Sequence, residues 1–121
     1  MSNKITIFEN QTSDAESTPF KITVPDSVGL NDTDFSAYLE IFTGANGLGG
    51  GSLLLKKKCG DDTFRNSEQE STKISDEFPT ADTGVLTLAI NYKDANEEFT
   101  MELTGASSAD VSVYGINMNQ N

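Results

Sequence analysis

The sequence predicts an all-β protein, one antiparallel β-sandwich of about eight strands occupying residues 1–121 as a single domain. Three observations carry that reading. Apolar residues recur at every second position in short runs, Gly, Pro, Asn and Asp separate those runs, and 121 residues suffice for one core but not two. The two-residue rhythm is diagnostic because successive side chains of a strand point to opposite faces of the sheet. Jelly-roll and immunoglobulin-like strand orders fit the pattern equally well.

The first run sets Ile5 and Ile7 against Lys4 and Thr6 and closes in Phe8-Glu9. In the second, Phe20, Ile22 and Val24 alternate with Lys21 and Thr23 until Pro25-Asp26 stops it. The third places Phe35, Ala37, Leu39 and Ile41 on one face, with Ser36, Tyr38, Glu40 and Phe42 opposite. Leu53 to Cys59 is the fourth run, and Thr72 to Phe78 a weaker fifth closed by Pro79. Leu86, Leu88, Ile90 and Tyr92 share a face in the sixth, opposite Val85, Thr87, Ala89 and Asn91. Phe99, Met101 and Leu103 line one side of the seventh.

The eighth run breaks phase. Val111 and Val113 fall on odd positions, but Tyr114, Ile116 and Met118 fall on even ones. A bulge or bend at Gly115 would return both sets to the same core, since one extra residue inverts the alternation. Helix signals are weak: Asp61 to Thr72 has Phe64 as its sole apolar anchor and reads as a loop. The segments 11–18 and 26–34 read as exposed connections.

Composition excludes several classes of function. Nineteen acidic residues against eight basic ones leave a charge of −11, which disfavours nucleic acid and anionic membrane as partners. A chain without His builds neither a Ser–His–Asp unit nor an imidazole zinc site. One cysteine, Cys59, forms no internal disulfide and reads as a buried small hydrophobe. Apolar runs no longer than Leu53-Leu54-Leu55 span no membrane as a helix, and the opening MSNKITIFENQTSD holds no signal-peptide core. The chain is therefore expected to stay in a cytoplasm or to assemble there into something larger. No cofactor and no catalysis are expected.

Four constellations bear on chemistry. The Gly44 to Gly51 stretch looks like a phosphate cradle, but it leads into a strand rather than a helix and lacks the Lys-Ser/Thr pair. It reads as a hairpin connection that either moves or lies against neighbouring backbone. Asp32-x-Asp34, Asp61-Asp62 and Asp94-x-x-Glu97-Glu98 offer carboxylates without the spacing of a calcium loop, so no metal is assigned. The aromatic supply of three Tyr, seven Phe and no Trp leaves little for a sugar platform. Lys56-Lys57-Lys58 is the basic cluster of an acidic chain, either an edge guard or a docking point for an acidic partner.

The order of four segments carries a resemblance. They are Ile5-Thr-Ile-Phe-Glu-Asn-Gln-Thr, Ser17-Thr-Pro-Phe20-Lys-Ile-Thr-Val24, a Gly-rich approach to a strand ending in Asp61-Asp62-Thr63-Phe64, and Val111-Ser-Val-Tyr-Gly-Ile-Asn-Met118. Together they resemble the small β-sandwich proteins of tailed bacteriophage particles, the capsid decoration (cement) and head-fibre proteins. Asp62 stands where such turns often have Gly, and Phe64 where they often have Trp.

The resemblance implies a non-enzymatic virion protein, assembled in the host cytoplasm as a small homo-oligomer, that binds across major capsid subunits and stabilises the shell. Its alternatives are a fibre or tail-adaptor subunit and a carbohydrate-binding module. The candidate partner-contact residues are Lys4, Ile5, Ile7 and Phe8 of the first strand, Phe42, Leu48 at the tip of the glycine loop, Leu54, and Lys56, Lys57 and Lys58.

Overall fold

A computed structural model of the chain describes residues 4–22, 37–78, 84–90 and 97–120. Within them lie ten strands and one helix, arranged as two antiparallel sheets packed face to face. In chain order the elements are β1 (Lys4–Gln11), β2 (Ala15–Glu16), β3 (Phe20–Ile22), β4 (Ala37–Thr43), β5 (Ser52–Lys58) and β6 (Phe64–Asn66). Helix α1 (Glu68–Glu77) follows, and then β7 (Gly84–Ile90), β8 (Phe99–Thr104), β9 (Val111–Ile116) and β10 (Met118–Gln120).

One sheet has the order β1-β9-β4-β7; the other runs β10-β3-β8-β5-β6, with β2 added alongside β8. Between them lies a continuous apolar core that includes Phe20, Leu39, Ile41, Leu53, Leu55, Met101, Leu103, Val111, Val113 and Met118. These are the inward positions of the alternating runs, so the rhythm and the burial agree. Phe20 and Phe99 stack across the ladder of β3 and β8, with ring centroids 6.1 Å apart. Val24, Phe35 and Tyr92, expected to extend three of these strands, lie outside the described residues.

The structure corrects four expectations. The weak fifth run is the second half of α1. Ile74 and Phe78 are four residues apart and both buried, and Ser71 is buried one turn earlier, which is the spacing of a helix face. Nor is the stretch from Asp61 to Thr72 a loop throughout: it contains β6 and the first turn of α1, where the Ser67 hydroxyl donates to Glu70 at 3.2 Å. The anchor of this helix is Ser71. Its Oγ accepts the Leu55 N–H at 3.1 Å, and the Ser67 N–H donates to the Leu55 carbonyl at 2.8 Å. The edge of β5 is thus covered by β6 along one half and by the start of α1 beside it.

The phase break in the last run is a change of sheet. Asn117, at a φ of 60°, ends β9 in one sheet and launches β10 into the other. Gly115 stays in register with Leu39 and Ile5 rather than bulging. The bulge sits in β1 instead, where the register shifts between Thr6 and Phe8 and again before Gln11. That shift turns both Ile7 and Phe8 inward.

The glycine stretch makes no hairpin either. It crosses from β4 in one sheet to β5 in the other and is bonded along segment 105–110. Gly44 N–H donates to the Asp110 carbonyl, Asp110 N–H to Gly47, and Ser107 N–H to Gly49. A Cβ on Gly51 would stand 2.4 Å from the Thr104 carbonyl oxygen, so this loop is the close-contact kind.

Candidate functional site

The outward face of the sheet β1-β9-β4-β7 gathers the side chains that alternation turns away from the core. β4 contributes Tyr38, Glu40 and Phe42, and β7 contributes Val85, Thr87 and Ala89. β9 adds Ser112 and Tyr114, and β1 adds Lys4 and Thr6. Among the described residues, Phe42 (38% exposed) and Val85 (55%) are the two large hydrophobic side chains left in solvent. The β4–β7 register sets them directly opposite one another. Cross-strand neighbours on one face lie roughly 4.5–5.5 Å apart at Cβ, so the two form one surface.

Tyr114 extends that surface. Its ring meets Phe42 edge-on with centroids 6.0 Å apart, and the Lys4 ammonium sits 4.6 Å from its centroid. The cation is held by the ring quadrupole, which places a positive charge at the border of the apolar patch. Tyr38 pairs with Ala89 across the ladder, and Glu40 with Thr87. The patch is therefore three aromatic rings, a valine and a small aliphatic residue, flanked by one cation and one carboxylate.

The structure distributes the expected contact residues differently. Lys4 and Phe42 come together in this patch. Ile7, Phe8 and Leu48 do not: all three are buried in the core, and Ile5 packs against it. The bulge in β1 accounts for Phe8, and the crossing path of the glycine loop accounts for Leu48, which points between the sheets instead of forming a tip. Ile7, Phe8 and Leu48 are thus core side chains, and Ile5 is partly buried against them.

The lysine run lies on the other sheet and is largely engaged there. Lys56 is paired with Glu16 at 3.3 Å and Glu102 at 3.6 Å and is 18% exposed. Lys58 stands 3.9 Å from both Asp62 and Glu98. Lys57 is half-buried between Arg65 and Phe99 in the ladders. Exposed pairs of this kind contribute about 0–1 kcal/mol each, and they offset the charges of Lys56 and Lys58. Leu54 is half-buried opposite Glu102. Cys59 is half-buried rather than interior, its thiol donating to the Lys57 carbonyl at 3.7 Å.

Open grooves also occur among the described residues. One of about 300 Å³ runs between the start of β5 and α1 and is lined by Ser52, Leu53, Asn66, Ser71, Thr72 and Ser75 among others. A second, of about 340 Å³, is lined by Lys58, Cys59, Gly60, Asp62, Glu97 and Glu98.

Among the described residues, no group of three or more Cys, Asp or Glu side chains is placed to hold a metal ion. Asp32, Asp34 and Asp94 lie outside them. Asp61 is bound to Arg65, whose guanidinium holds its carboxyl below the usual range, helped by the Thr63 N–H. Among the described residues, no helix is long and apolar enough to cross a membrane.

Tyr114, Val85 and Ala89 belong to this patch but are not among the residues singled out from sequence. Their signal was present, since alternation already assigns Val85, Thr87 and Ala89 to the second face of their strand. What was missing is the register that sets Val85 beside Phe42. The chain matches no protein-family model, no curated protein and no solved structure.

Proposed function

We propose that this chain is a non-catalytic structural protein that attaches to another protein through the outward face of the sheet β1-β9-β4-β7. The observation that carries the reading is the direct pairing of Phe42 with Val85, flanked by Tyr114 and Lys4. Aromatic side chains on a rigid sheet lose little conformational freedom on contact and tend to dominate binding energy. The resemblance described above narrows the partner to the major capsid protein of a tailed phage particle, with this chain as a decoration subunit. Many weak copies bridging neighbouring capsid subunits would then act together through effective concentration.

The test uses empty shells of the capsid protein encoded in the same genome. The chain should bind them in a saturating ratio and raise their disruption temperature. The double variant Phe42→Ser, Val85→Thr should bind at least tenfold more weakly while remaining folded. Equal binding by that variant would remove the face from the account, and shells indifferent to the wild-type chain would remove the capsid.

A carbohydrate ligand is the second reading, favoured by the two tyrosines on this face. Tyr114 already carries the Lys4 ammonium over its ring, which leaves Tyr38 as the stacking platform. Glycan affinity of the purified chain that vanishes in Tyr38→Ala would select this reading over the first.

A further inference from the structure

Among the described residues the two sheets have four edge strands, and they are not guarded alike. β1 carries two register shifts together with Lys4 and Glu9. β6 and β10 are three residues long, and β6 carries Arg65. Short, charged or bulged edges are the usual means of preventing strand-to-strand association. β7 has none of these devices. Its sequence Gly-Val-Leu-Thr-Leu-Ala-Ile holds no charge and no proline, and all seven residues stay in register with β4.

The hydrogen-bond phase of β7 can be read from its neighbours. Gly44 N–H donates to Asp110, so the even residues of β4 face β9 and the odd ones face β7. Thr43, Ile41, Leu39 and Ala37 therefore bond to Gly84, Leu86, Leu88 and Ile90. The N–H and C=O groups of Val85, Thr87 and Ala89 point the other way, out of the sheet edge, and these same three residues are exposed. Helix α1 reaches β7 from the inner side, where Phe78 lies over Gly84, and leaves that row uncovered among the described residues.

We infer that β7 is the contact strand of a homodimer, pairing antiparallel with β7 of a second copy about a two-fold axis through Thr87. A self-paired antiparallel strand is an isologous contact by construction. In this register Thr87 meets Thr87 of the partner subunit, and Val85 meets Ala89 of the partner subunit, each pair exchanging two hydrogen bonds. Each outward-pointing group of the row gains a partner, and the two sheets merge into one. On the outward face the row Phe42–Val85 continues into Ala89 and Tyr38 of the partner subunit, so the apolar patch doubles in length across the axis.

A second copy can approach this edge without like charges meeting strand to strand, because β7 carries none. At −11 the chain repels its own kind over most of its surface, and β7 is a seven-residue strip without charge. The strand also sits above α1, with Glu68, Glu70, Asp76 and Glu77, so screening should tighten the pair.

Mass measured by light scattering over a concentration series tests the inference. The wild-type chain should rise from 13.0 kDa towards twice that value, at lower concentration when salt is added. Thr87→Lys sets two like charges at the axis and should stay at the monomer mass with an unchanged circular dichroism spectrum. Thr87→Cys in a Cys59→Ser background should form a disulfide-linked dimer on oxidation far faster than Thr6→Cys, which lies on the opposite edge strand. Phe42→Ser should leave the dimer intact, which separates its loss from failure of the docking face. A wild-type mass that stays at 13.0 kDa, or equal cross-linking at Thr6 and Thr87, overturns the inference.

Discussion

Met118 folds back over Gly115, so that a Cβ on the glycine would stand 2.8 Å from the methionine sulfur. The two residues belong to different sheets, joined through the left-handed residue Asn117. This corner is where the chain closes one sheet and opens the other, and it leaves no room for a side chain at its inner surface. Gly115→Ala should therefore destabilise the fold by about 1–3 kcal/mol through overpacking. Combining it with Met118→Ala should cost less than the sum of the two single changes, as urea midpoints of the four proteins would reveal.

The glycine crossing gives a graded series. Gly51→Ala forces a Cβ into the Thr104 carbonyl, and Gly49→Ala meets Ser107 backbone from a φ of +61°. Each should lose about 2 kcal/mol or more, because backbone yields poorly. Gly60 has open space and no left-handed φ, so Gly60→Ala should be neutral or gain about 0.4–1 kcal/mol. Equal melting of all three variants would dismiss the close-contact account of the loop.

Ser71 is the buried hydroxyl that ties α1 to β5. Ser71→Ala leaves the Leu55 N–H without the oxygen it now reaches at 3.1 Å, and should cost about 1–3 kcal/mol. Hydrogen exchange at Leu55 should speed up in the same variant.

The outward patch should be nearly silent in stability. Phe42→Ser gives up its edge contact with Tyr114 and should cost about 1 kcal/mol, whereas Val85→Thr should stay within about 0.5 kcal/mol. A much larger loss in denaturant titration would mark these residues as structural.

Asp61 sets a sign for acid unfolding. Its hydrogen bonds from Arg65 and Thr63 lower the folded-state pKa. The stabilisation is therefore present above the unfolded carboxylate value of about 3.9 and lost as pH falls through the lowered one. The group is exposed, so Asp61→Asn should flatten the acid limb of the stability curve only slightly.

Alternation located the body of β1, β3, β4, β5, β7, β8 and β9 because each buries one face and exposes the other. It failed where burial did not follow a period of two. Ile74 and Phe78 lie four residues apart with few other apolar residues near them, which gives a strand reading no more contradiction than a helix reading. β2, β6 and β10 are too short to show a rhythm. The change of parity after Val113 was visible, but a bulge and a change of sheet leave the same trace in sequence.

The amino-acid order by itself determined that this is a two-faced β protein with no imidazole chemistry and which side chains each long strand turns outward. Tertiary structure alone decided that β4 and β5 belong to different sheets, that Leu48 and Phe8 are core, and that Phe42 stands beside Val85. The reason is physical: side-chain alternation is a local property of the backbone, whereas register and sheet membership are set by hydrogen bonds between residues dozens of positions apart.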